Sequence, residues 1–178
     1  IFAAPRREMT AEGIERDMAV SFLNRLVMLR AIAARLGTGR SDARLRPRVF
    51  VMGHPGTGQA GNREDLNSEA GYNAFSAHMN TVAGNEALVL DAAARYPTLE
   101  VFGLKTAIRS NFLGEGSLRH RLVEGVIGLL MQSPERYARR IAPLLLSPVI
   151  SGFSGALFNN TGLEKLPSKA MTEAYAAS

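Results

Sequence analysis

An α/β layered fold, with parallel strands joined by helical crossovers, is what this sequence predicts. Two short apolar runs, Val49-Phe50-Val51-Met52 and the stretch 99–104 (LEVFGL), have the form of strands buried on both faces. Longer stretches without internal proline precede and separate them, and Gly or Pro punctuates the junctions.

Thr10 is suited to cap a helix and Glu12 to its first turn. Apolar residues then recur at Ile14, Met18, Phe22, Leu26, Leu29, Ala33 and Leu36 ahead of Gly37, which predicts one long amphipathic helix over 10–36. Arg40, Arg44, Arg46 and Arg48 follow among Gly37, Gly39 and Pro47 and read as a solvated connection. The first strand closes at Gly53, and residues 53–71, rich in Gly, Asn and charge, read as a loop. A helix over 74–95 is closed by Pro97 before the second strand. A polar stretch over 105–117 leads to an apolar helix around 122–131. Ser133-Pro134-Glu135 then supplies a cap, a first-turn proline and an acid at a helix start, predicting a helix through about Leu146. A last strand is expected near 154–158. One α/β domain over 1–160 and a loosely held tail over 161–178 complete the expectation.

The chain of 178 residues, 46% hydrophobic, is long enough to bury one core. No run approaches the roughly 18 apolar residues needed to cross a bilayer, and the opening IFAAPRREMT lacks the form of a leader, so neither membrane insertion nor export is expected. With no Cys, disulfides and thiolate metal sites are excluded; a cytoplasmic location is the expectation. Asn159-Asn160-Thr161 is read as an incidental sequon. The net charge of +5 is densest in the arginine loop, which has no aromatic residue to stack on a base, so no nucleic-acid partner is expected.

Strand 49–52 runs toward Gly56-Thr57-Gly58-Gln59-Ala60-Gly61, which has the spacing of a dinucleotide fingerprint. That motif requires a helix opening at its last glycine, whereas polar Asn62-Arg63-Glu64-Asp65 follows; the segment is read as a loop without a phosphate.

Asp65-Leu66-Asn67-Ser68-Glu69-Ala70-Gly71-Tyr72 resembles the DLNSEKGY segment of retinol-dehydrogenase-like short-chain dehydrogenases/reductases. Thr10-Ala11-Glu12-Gly13-Ile14-Glu15 resembles that family's TADGFE helix start, and RVFVMG its serine-bearing strand. Ser133-Pro134-Glu135 followed by Leu146-Ser147-Pro148 and Ser154-Gly155 resembles its closing helix and strand. The resemblance implies a partial Rossmann-like three-layer parallel sheet flanked by helices. The family's N-terminal cofactor-binding strands and pyrophosphate turn would precede Ile1, and the edge of the remaining sheet would be left unpaired.

The resemblance also assigns site positions. The family pattern AYxxSKLAN falls on 77–85, placing His78 in the slot of the catalytic Tyr and Val82 in that of the Lys that lowers its pKa. His54 falls in the slot of the Ser that orients the carbonyl, and Ser21 in that of the Asn holding a water relay. All four slots are substituted. Lys105-Thr106-Ala107 stands for the family's HPG. Ser110 matches the Thr that contacts the nicotinamide carboxamide, and Ile108 would offer its backbone. His54 and His78 carry imidazoles capable of proton transfer near neutral pH, while a drifting site would accept such residues without using them. His120, beside Arg119 and Arg121, reads as solvated.

Three readings follow. The first is an NAD- or NADP-dependent oxidoreductase of carbonyl or alcohol substrates, catalytically impaired by the replaced slots, its small-molecule substrate unspecified. The second is a non-catalytic scaffold dimerising through helices 10–36 and 74–95, with Phe22, Leu26, Leu29 and Ala33 as the pairing stripe or as ordinary core. The third is a fragment whose N-terminal third lies upstream of Ile1.

Overall fold

The computed structural model describes residues 4, 6–39, 46–106 and 132–171. Its core is an open four-stranded sheet in the order β1-β2-β3-β4, with β1 (Arg48–Gly53), β2 (Glu100–Lys105), β3 (Leu157–Phe158) and β4 (Glu164–Lys165). β1 pairs parallel with β2, and β2 with β3; only β4 runs antiparallel. The outer edge of β1 has no partner among the described residues.

The first helical run, α1, is continuous but mixed: Arg16–Met18 is α-helical, Ala19–Leu23 forms a π-helical turn, Asn24–Ile32 is α-helical and Ala33–Arg35 tightens to 3-10. It starts later than the pattern predicts. Thr10 closes a turn with Gly13, and Met9 bridges Glu15; Glu15, not Thr10, caps the helix by accepting from the amides of Asp17 and Met18. The helix α2 (Ala74–Arg95) is capped by Asn73, whose side chain accepts from the Ser76 amide. The helix α3 (Pro134–Leu146) is capped by Ser133 as expected.

These elements stack in three layers. Leu29 and Ala33 of α1 and Leu88, Val89 and Ala92 of α2 pack on one face of the sheet against Val51, Val101 and Leu157. On the other face Tyr137 and Ile141 of α3 pack with Phe102, Leu104 and Phe158. β2 is buried on both sides, as its continuous apolar run requires. The α/β sheet with helices on both faces is compatible with a partial Rossmann-like fold. Phe22 and Leu26 pack against the same core as Leu29 and Ala33, so that stripe covers the sheet.

Three expectations are corrected. Arg48 is a strand residue enclosed by hydrogen bonds, not part of a solvated connection, because its guanidinium reaches Glu100 and the end of α3. The strand expected near 154–158 is only Leu157–Phe158, since Gly155 sits at φ +96 in a turn before it, and it is not the last, because β4 follows. Residues 166–171 are held down: Ser168 and Met171 are buried, and Ser168 bonds to Glu86. Asn159 of the sequon closes the turn between β3 and β4 through the Thr161 and Leu163 amides. The expected helix near 122–131, His120, Ile108 and Ser110 lie outside the described residues.

Candidate active site

In open parallel sheets, ligands bind beyond the carboxyl ends of the strands. Here that edge is formed by Gly53 and His54 after β1 and by Lys105 at the end of β2. α2 runs back along the sheet, so its first turns lie over the same edge. Asn85 abuts it: a Cβ added at Gly53 would come within 3.3 Å of the Asn85 Cβ. His78, Val82 and Asn85, at i, i+4 and i+7, share that face of α2.

The start of α1 supplies the opposing wall, and the 65–72 segment fixes where it starts. The Asn67 side chain accepts from the Glu15 amide at 2.6 Å and donates to the Gly13 carbonyl. Asp65 accepts from the Glu69 and Ala70 amides, which shapes the turn presenting Asn67. With Glu15 locked as the cap, Asp17 is carried into the interior, where it is 1% exposed.

Three polar side chains meet there. Ser21 donates its hydroxyl to Asp17 Oδ1 at 2.5 Å, and His78 Nδ1 lies 2.8 Å from Asp17 Oδ2. Burial opposes ionisation of Asp17, but the bonds from His78 and Ser21 and the charge of His78 outweigh it and hold the carboxyl below its ordinary range. The Ser21 carbonyl accepts from Asn85 Nδ2 and Arg25, whose guanidinium also reaches Asn85 Oδ1 at 2.9 Å. Ser21 stands in the π-helical turn, a local widening of the kind that recurs at functional sites. His54 is half-buried, and its pKa is lowered by burial, then by the charges of Lys105 and His78.

Ser21 and His78 of the expected site are thus brought together, and His54 lies close enough to feel the charge of His78. Val82 is buried, 4% exposed, among core side chains and offers no polar function. Sequence reasoning missed Asp17. The available signal was its four-residue spacing from Ser21 on the helix side that carries Met18 inward.

Two amides of the glycine loop 56–61 are already engaged: Gly56 donates to the Glu86 carboxylate at 2.8 Å and Gly58 to Ser168 Oγ. Glu86 is 1% exposed, so an anion at this loop would meet a carboxylate. The loop does not fit a cofactor pyrophosphate. An apolar hollow of about 340 Å³ between Met18, Phe22, Leu66, Ala83 and Met171 lies on the opposite face of α2 from His78. No helix among the described residues is long and apolar enough to cross a membrane.

No protein-family model matches the chain. Over 179 residues it is 46% identical to a protein of Saccharomyces cerevisiae described as an uncharacterized oxidoreductase. The match takes in 97% of this chain but 58% of that relative, so the chain spans less than two thirds of the curated protein it matches.

Proposed function

We propose that the chain is part of a short-chain dehydrogenase/reductase-like oxidoreductase that interconverts carbonyl and alcohol substrates with NAD or NADP, in a cytoplasmic setting. The observation that carries this reading is the meeting of Asp17, Ser21 and His78 at the carboxyl edge of a parallel sheet, in a chain similar to an oxidoreductase. A bound reduced nicotinamide would supply the hydride. Val82 removes the cation on which the family's tyrosine mechanism depends, so chemistry by that route is impaired. Of the nicotinamide contacts implied by resemblance, Ile108 and Ser110 belong to the stretch beyond β2. Titrating the full-length protein with NADH and NADPH, followed by nicotinamide fluorescence, tests the reading. Saturable binding is expected, and no change up to millimolar cofactor overturns it.

A second reading, a dimerising scaffold, is favoured by one observation. Val20, Val27, Met28 and Ile32 of α1 are exposed, Val27 by 63% and Met28 by 60%, on the side away from the sheet. Pairing of two copies through α1 and α2 would cover them. Light scattering of the full-length protein distinguishes the outcomes: a dimer supports pairing, and a strict monomer at high concentration rejects it.

A further inference from the structure

We propose that Asp17 and His78 form an acid–base dyad in which the buried carboxylate fixes the imidazole and His78 Nε2 exchanges a proton with the substrate oxygen. The inference rests on the oxidoreductase reading and names the group that handles its proton.

The geometry assigns the roles. Asp17 is an acceptor at both oxygens, so His78 Nδ1 carries hydrogen toward Oδ2 and leaves Nε2 as the exchanging nitrogen. No described residue hydrogen-bonds Nε2, and the His78 side chain is 34% exposed, open to substrate and solvent. Asp17 cannot swing away: Ser21 holds its other oxygen, and the Glu15 cap and Asn67 fix the helix start. Among the described residues, the charged and titratable groups that act on the dyad are Arg25 of α1 and Tyr72, which interact with Asp17, and His54 after β1, which interacts with His78 and with Lys105 of β2.

The two substitutions on α2 explain each other. A phenol, with an ordinary pKa near 10, needs a neighbouring cation to exchange protons at neutral pH; an imidazole, near 6.5, does not. A lysine at position 82 would place a like charge beside an imidazolium, whereas Val82 places none. Histidine at 78 with valine at 82 and aspartate at 17 is therefore a self-consistent set.

In the reducing direction, the carbonyl carbon gains hydride from the nicotinamide reductant of the proposed function and the C=O π pair moves to oxygen. That oxygen takes the proton from His78 Nε2–H, leaving neutral imidazole to be reprotonated from solvent. In the oxidising direction, neutral Nε2 takes the hydroxyl proton.

The test uses the full-length protein in two arms. NADPH and NADH titration judges the underlying reading; absence of binding removes the reaction and the dyad's role with it. Where binding is present, H78Q is expected to lower kcat for carbonyl reduction about 100-fold, with cofactor binding unchanged. D17N is expected to lower kcat about tenfold or more and to remove the preference for the Nδ1–H tautomer at His78, because the carboxylate that fixes it is gone. In the unaltered protein, histidine 15N shifts at high pH should report the Nδ1–H tautomer at His78, a readout independent of turnover and of any variant's folding. With cofactor bound, an H78Q kcat within threefold of the original overturns the dyad, and so does an Nε2–H tautomer.

Discussion

The two ends of the sheet solve opposite problems with the same kinds of residue. At the amino end, Arg48 opens β1 directly across from Glu100 of β2 and bonds both to it and to the end of α3. Its Nε meets Glu100 at 3.0 Å, and its other nitrogens donate to the carbonyls of Leu145 and Ser147, where α3 ends, and to Ser151 Oγ. The second Glu100 oxygen accepts from the Gly152 amide at 2.6 Å. At the carboxyl end, Asp17 is equally buried and equally bonded, but its partner His78 keeps one nitrogen free of described partners and a third of its side chain exposed. A charge pair whose partners are both tied to further elements of the fold serves to hold it together. A pair with one valence left toward solvent can also do chemistry.

The contrast breaks first at Arg48. R48M removes one partner of a buried pair and strips donors from the last carbonyls of α3, leaving the Glu100 carboxylate uncompensated. Such losses cost about 3 kcal/mol or more, and urea denaturation should show a correspondingly lower midpoint with an unchanged slope. A loss under about 1 kcal/mol would mean that the network is not a fastening.

H78Q should separate the ends in the other direction. A glutamine amide can still face Asp17, and the position is already partly wet, so the cost in stability should stay within about 1 kcal/mol even as turnover collapses. If H78Q destabilises as strongly as R48M, the carboxyl end is also a structural fastening, and the difference between the two ends disappears.

How much of this was legible in sequence follows from the range of each interaction. β1, β2, α2 and α3 were readable because continuous apolar runs, the Ser133 cap and proline punctuation are local signals. The true start of α1 was not. Thr10 has the local features of a cap, but Asn67, 52 residues from Glu15 in sequence, stabilises Glu15 in that role instead. Arg48 was read with its arginine-rich neighbours because nothing adjacent reveals Glu100 or the end of α3. His78 and Ser21 were found through resemblance. Asp17 was not, because its function exists only once α1 and α2 are packed side by side.

The finest test of the comparison concerns His54, which follows β1 at the same edge and is half-buried. Burial first, then Lys105 and His78, lowers its pKa below the ordinary 6.5. As pH falls below about 6.5, the unfolded chain therefore binds a proton that the folded chain refuses, and stability declines until the folded pKa is passed. Asp17 acts in a separate, more acidic window: its folded pKa lies below 3.8, so its contribution is present above that value and lost as pH falls through the folded pKa. H54N should flatten the fall in stability between pH 7 and pH 5 while leaving the loss below pH 4 in place, as read by urea denaturation at each pH. An unchanged slope between pH 7 and pH 5 would show that His54 protonates as readily folded as unfolded. The sign matters for the site itself. A His54 that stays neutral offers a hydrogen-bonding nitrogen at the carboxyl edge of the sheet instead of a positive charge.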